Sequence, residues 1–263
     1  MPLKTPNTAK ARLLAGELAL GFGVHVLRGP TAGAVAVANG FDWLFIDMEH
    51  GAMSIDDATQ ISIAALGQGV TPIVRVCKDA VHEGTRCLDN GALGVVVPHV
   101  DTAEEAAAIV RAYRFPPIGD RSWGGQSYAH GLKPPGAAQA QKELNDEVLV
   151  VVMIETPLAV ANAAAIAAVP GVDVLLFGTG DLTATMGIAG QVDHPDVLAA
   201  YTKVGADCAA AGKVMGMGGV YDEVVAPSYV ALGARFILGG SDMSFLMAGS
   251  GARGAFLNSL RSK

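Results

Sequence analysis

The feature that most constrains this chain is an eightfold alternation of short apolar, β-branched runs with helix-like stretches. The runs fall at residues 18–26, 43–46, 71–76, 92–98, 148–154, 172–177, 213–217 and 236–238. Each is followed by a helix candidate: 31–39, a stretch with Ile55, Ala58, Ile61 and Ala65 on one face, one carrying Arg86 and Asp89, 103–113, one opening at Thr156-Pro157, then 195–212, 222–232 and 241–260. Strands this uniformly apolar are buried on both faces, and parallel strands need crossover helices. Eight such units predict an α/β fold, a (β/α)8 TIM barrel. No G-x-G-x-x-G follows the first strand, which disfavours a doubly wound sheet. The 263 residues suit one barrel, and without a linker or low-complexity tract they predict a single domain over 1–263.

Composition narrows the function. Hydrophobic residues make up 51% and charged ones 16%, so a large core is expected, and part of the apolar surface suits a subunit interface. The net charge is -7 and no basic run occurs, which argues against nucleic acid and membrane as partners. Cys77, Cys87 and Cys208 are odd in number and form no CxxC, as in a reduced cytoplasmic protein without structural zinc. Glu17 interrupts the apolar run at 13–20, so a first helix is expected there in place of a signal peptide.

In a parallel barrel the ends of the strands share one rim, where chemistry gathers. That rim collects Asp47, Glu49, His50, Arg75, Glu155 and Asp181, with Asp89 further along the third segment. Glu155 and Asp181, from adjacent strands, could converge on a hard cation such as Mg²⁺ or Mn²⁺, or serve only as helix-start acids. Arg75 could pair with Asp47 or Glu49, or face a substrate oxyanion. Gly178, Thr179 and Gly180 form either a plain turn or a cradle of N–H groups for a carboxylate. His99 sits on the rim without an assigned role; His25, His82 and His194 read as ordinary surface or turn histidines. Asp101 and Glu104 suggest a capping box. Residues 116–136 form a Gly/Pro-rich loop whose Arg121, His130 and Lys133 hint at binding an anionic group.

Together these residues resemble the HpcH/HpaI aldolases, metal-dependent class II pyruvate aldolases of the 4-hydroxy-2-oxoheptanedioate aldolase kind. The likeness is carried by FDWLFIDMEH at 41–50, Pro72 through Arg75, Leu88-Asp89 with Gly91, Val97-Pro98, Arg114 through Pro117, Ile154-Glu155-Thr156, and Phe177-Gly178 with Gly180-Asp181-Leu182 and Met186-Gly187. It spans about residue 18 to the C-terminus. The resemblance implies a barrel of the phosphoenolpyruvate/pyruvate type. Glu155 and Asp181 would then hold Mg²⁺ or Mn²⁺, with Co²⁺ a further option. His50, helped by Asp89, would belong to the acid–base machinery, and Asp47 would order the site. Arg75 would contact the oxo or enolate oxygen, and Gly178, Thr179 and Gly180 the pyruvate carboxylate. A homo-hexamer, a trimer of dimers exchanging the last helix, is also implied.

The implied reaction joins pyruvate, as its enolate, to an aldehyde, or cleaves a 4-hydroxy-2-oxo acid in reverse. The base is either His50 or a hydroxide at the ion. Met153 stands where relatives often carry glutamine, Thr179-Gly180 where they carry Pro-Ala or Pro-Thr, and Ser122 where they carry glycine; the two metal-binding acids remain. Two other readings compete: a lyase of CoA thioesters, as in the citrate lyase β-subunit and malyl-CoA lyase group, and a non-catalytic barrel that binds or assembles.

Overall fold

The computed structural model describes residues 4–261. Its eight strands form a closed parallel barrel in sequence order: β1 (Ala19–Val24), β2 (Trp43–Asp47), β3 (Thr71–Arg75), β4 (Gly94–Val97), β5 (Leu149–Ile154), β6 (Val174–Gly178), β7 (Val214–Gly218) and β8 (Ala234–Ser241), with β8 paired back to β1. The eightfold alternation thus folds as expected.

The two-residue repeat of a strand divides each run between two cores. On β2, Trp43 and Phe45 enter the barrel interior, while Leu44 and Ile46 face the helices. Trp43 stacks on Phe236 at 4.0 Å and donates its indole N–H to the Ala19 carbonyl. Gly21 makes this possible, because a Cβ there would lie 2.3 Å from the Trp43 ring. The glycines that interrupt the first strand therefore make room for the largest residue of the second. The short helix α1 (Thr8–Leu14) lends Ala9 to the interior cluster at the barrel's base, and Asn7 caps it.

Helix starts follow local chemistry. α2 (Thr31–Ala38) links β1 to β2. Ser54 and Asp57 form a reciprocal capping box on α3 (Ile55–Gln68). α4 (Val81–Asp89) carries Asp89 as its last residue. The box on α5 (Ala103–Tyr113) uses Thr102 and Glu105, one residue later than Asp101 and Glu104, because the Asp101 carboxylate accepts the Thr156 hydroxyl instead. Two helices escape the sequence reading. α6 (Ala137–Glu147) follows the long loop, and α8 (Thr179–Thr185) begins inside the expected glycine turn. Thr156 caps α7 (Pro157–Ala167) with proline in its first turn, as expected, and His194 caps α9 (Pro195–Ala211) in the same way. The shorter α10 (Ala226–Ala231) precedes β8, and α11 (Asp242–Ser259) closes the described chain.

Among the described residues no helix is long and apolar enough to cross a membrane.

Candidate active site

Asp47 continues the inward alternation of Trp43 and Phe45, so a carboxylate tops the aromatic stack at the barrel mouth. It is fully buried. Its Oδ1 accepts the N–H of Glu49 at 3.0 Å and of His50 at 3.2 Å, turning the chain back over the strand end. Gly51 completes the turn, since a Cβ there would meet the Asp47 carbonyl at 2.2 Å. Arg75 is the register partner of Asp47 on β3. Its Nε reaches Asp47 Oδ1 at 2.9 Å, one terminal nitrogen reaches Oδ2 at 2.6 Å, and the other reaches Glu49 Oε2 at 3.0 Å. Burial alone would raise the Asp47 carboxyl, but the Arg75 bonds and charge, with the His50 and Glu49 N–H groups, hold it below its ordinary value. Burial likewise opposes the Arg75 charge, yet Asp47, Glu49 and Glu155 keep the guanidinium above its usual value.

Glu155 follows β5 and is 1% exposed. Its two oxygens differ. Oε2 accepts the His99 backbone N–H at 2.7 Å and lies 3.1 Å from His99 Nδ1. Oε1 is buried and has no hydrogen-bond partner. The Gly178 Cα presses beside it: a Cβ on Gly178 would lie 2.3 Å from Oε1. Burial pushes the Glu155 carboxyl up to about 7; His99 opposes the rise and the Asp181 charge adds to it. A cavity of about 200 Å³ joins Glu155 and Asp181 to His25, His50, Arg75, Gly178, Thr179, Gly180 and Tyr221.

The cavity brings together most of the expected residues. His50 lines it with its ring 63% exposed and Nε2 4.0 Å from Glu49 Oε2. The Thr179 side chain is committed elsewhere: Oγ1 accepts from or donates to the Tyr201 hydroxyl at 2.7 Å and reaches the Gly218 carbonyl at 2.7 Å. Thr179 and Gly180 line the cavity as the first residues of α8, whose opening N–H groups have no partner within the helix. Asp89 is not among the lining residues; it pairs with Arg121 at 2.7 Å. Arg121 lies over the Phe115 ring and His130 is held between Ser127 and Glu143, so both are packed into the loop's interior and neither is free to bind an anion as their types suggested. Burial draws the Arg121 guanidinium below its ordinary value, against the Asp89 pair.

Two histidines do more than their sequence positions suggest. His25 is no ordinary turn residue: it lines the cavity, with Nε2 3.3 Å from Asp47 Oδ2. Its position is set from afar, by the Asp242 carboxylate accepting the N–H groups of His25, Val26 and Leu27. His99 stands between Glu155 and Glu49. Tyr221, at the mouth, carried no signal beyond its place after the seventh strand.

The residues suit a divalent cation. Asp47 and Glu49 bond to Arg75, whose charge also acts on Glu155, and Asp181 lines the same cavity. Glu155 keeps one buried oxygen without a donor, in a cradle that only glycine at 178 leaves open. An oxygen-only donor pair fits Mg²⁺ or Mn²⁺, which fill the rest of their shell with water and substrate. Among the described residues no group of three or more His, Cys, Asp or Glu is placed to hold a metal ion, so protein ligation would rest on the acid pair alone.

A closed parallel barrel with acids, imidazoles and an arginine at its mouth defines an enzyme of the (β/α)8 class. The chain belongs to the HpcH/HpaI aldolase/citrate lyase family, which residues 28–248 match. It is 38% identical to the 4-hydroxy-4-methyl-2-oxoglutarate aldolase cghB of Chaetomium globosum, over 91% of each chain. It is 40% identical to the 4-hydroxy-4-methyl-2-oxoglutarate aldolase tasA of Hapsidospora irregularis, over 93% of this chain and 92% of the other. Among solved structures, the HpcH/HpaI aldolase of Desulfitobacterium hafniense superposes with a TM-score of 0.86 at 32% identity, covering 94% of this chain and 95% of that one.

Proposed function

We propose that this protein is a divalent-metal-dependent aldolase that cleaves or forms 4-hydroxy-2-oxo acids through the enolate of pyruvate. The observation that carries the reading is Glu155 Oε1, buried without a partner in a side chain that lines one cavity with Asp181, Arg75 and His50. Glu155 and Asp181 hold Mg²⁺ or Mn²⁺, which when bound supplies Lewis acidity to the 2-oxo acid.

The chain's own groups do the rest. Arg75, locked by Asp47 and Glu49, presents a fixed positive charge where negative charge develops on the 2-oxo oxygen. The backbone N–H groups of Thr179 and Gly180, beside Gly178, receive the pyruvate carboxylate. The exposed His50 ring takes a methyl proton or returns one to the new alkoxide. Asp47 orders the turn that carries His50 through its bond to the His50 N–H. Help from Asp89 to His50 rests on the family likeness alone, since within one chain Asp89 is engaged by Arg121.

The relatives sharpen the acceptor. Retro-aldol cleavage of the C3–C4 bond in the compound named for cghB and tasA would give two molecules of pyruvate, so the carbonyl acceptor here includes 2-oxo acids as well as aldehydes. We also propose a homo-hexamer, a trimer of dimers using α11, whose Leu246, Met247, Phe256 and Leu257 are each about half exposed or more. Three unpaired cysteines fit the reducing cytoplasm.

The test is hydrogen exchange at the pyruvate methyl group in D₂O, followed by NMR. Exchange dependent on Mg²⁺ or Mn²⁺, and lost in Glu155→Ala, is expected. Absence of exchange with any divalent ion would sink the reading, and exchange seen only with an acyl-CoA would favour a thioester lyase. A panel of glyoxal, glycolaldehyde, succinic semialdehyde and pyruvate then ranks the acceptors.

A further inference from the structure

We infer that His99 is a positioning residue that decides which oxygen of Glu155 faces the ion. The inference rests on the proposed metal site and names a part of it that the two acids alone do not explain.

His99 follows Pro98 at the end of β4 and has φ +54°, in the left-handed region. Residues other than glycine are uncommon there and persist where their surroundings hold them. The conformation has a visible consequence. It turns the His99 backbone N–H onto Glu155 Oε2 at 2.7 Å and brings ring Nδ1 to the same oxygen at 3.1 Å. One donor from His99, its backbone N–H, therefore fixes one carboxylate oxygen with the imidazole packed against it, while Oε1 receives none. Rotation of the carboxylate would have to break the backbone bond and push past the ring. Gly178 closes in on the Oε1 side, so the group is gripped at one oxygen and merely accommodated at the other.

The far side of the ring matters as well. His99 Nε2 lies 3.8 Å from Glu49 Oε1, and Glu49 is the second acid on Arg75. One imidazole thus spans the acid proposed for the ion and the acid that helps aim the arginine. A ring in this place fills the space between the two acids, which a backbone N–H alone would not do. Outer partners of this kind typically govern metal affinity about 10- to 100-fold.

The experiment measures Mn²⁺ alone binding to the ion-free protein, by the loss of free-ion EPR signal, in wild type, His99→Asn, His99→Gly and Glu155→Ala. Asparagine and glycine both tolerate the left-handed backbone, so the fold is kept and the glycine variant stands in should asparagine misfold. Weakening by about 10- to 100-fold in both His99 variants, with unchanged apo melting and recovery of His99→Gly by added imidazole, is the expected result. Wild-type affinity in either variant overturns the role. Pulsed EPR of the bound Mn²⁺ adds an independent check: no coupled histidine nitrogen is expected, and one that vanishes in His99→Gly would make the ring a ligand instead. Failure of the site reading is distinguishable, because then wild type and Glu155→Ala would bind Mn²⁺ alike, and this inference falls with it.

Discussion

Arg75 grips Asp47 with two parallel donors, at 2.9 and 2.6 Å, while its remaining terminal nitrogen holds Glu49 at 3.0 Å. Both partners are nearly sealed from solvent, so each charge depends on the other. Asp47→Ala removes two of the three carboxylate contacts from a buried guanidinium and should cost about 3–5 kcal/mol, read as a lower urea midpoint. Arg75→Lys cannot reproduce the paired geometry and should lose activity with the fold intact. A lysine variant with wild-type turnover would contradict the aiming role.

Gly178→Ala tests the cradle. The added Cβ would sit 2.3 Å from Glu155 Oε1, in the space proposed for the ion's ligand. We expect a folded protein, with Mn²⁺ affinity reduced by more than about tenfold, as judged against outer-partner losses. Calorimetric titration decides, and undiminished affinity would show that Oε1 is not the coordinating oxygen.

His50→Gln should lower turnover by roughly 100- to 10,000-fold, the usual worth of a proton-transferring group. Its ring is 63% exposed and makes no close hydrogen bond, so the variant's melting temperature should match wild type. Pyruvate methyl exchange within twofold of wild type would remove His50 from the proton path.

Acid behaviour separates two carboxylates. Glu155 is raised to about 7, chiefly by burial. Between its ordinary value and about 7, the ion-free folded chain holds a proton that the unfolded chain has released, so this group costs stability as pH rises across that window. A divalent ion must displace that proton below pH 7, so Mn²⁺ affinity should fall about tenfold per pH unit there. Asp47 acts oppositely: its lowered value stabilises the fold above the ordinary carboxylate range, and that contribution is lost as pH falls through the folded-state value. Ion titrations and melts between pH 5 and 8 check the first; melts below pH 4 check the second.

Arg121→Leu probes the long loop. Arg121 lies over Phe115 and pairs with half-buried Asp89. The loss should be about 1–3 kcal/mol in stability. Relative rates over the acceptor panel should stay the same, and a shift towards uncharged acceptors would restore Arg121 as an anion-binding group.

The sequence by itself determined the eight strands, the single continuous barrel rhythm and the acids at the strand ends. Burial on both faces imposes unbroken apolar runs, and the first polar residue past each run must lie at the rim; Asp47, Arg75 and Glu155 were legible for that reason. Local capping chemistry was readable too, at Thr156-Pro157 and, one residue out, at Asp101 and Glu104. Only the tertiary structure decided the partners. Asp47 meets Arg75 across two strands, His99 meets Glu155 across 56 positions, and Asp242 reaches back over 217 to seat His25 beside Asp47. The same holds for Arg121 and His130, whose types suggested ligand binding and whose packing absorbs them in the loop. A side chain's neighbours depend on barrel closure and on contacts between distant segments, and local periodicity encodes neither.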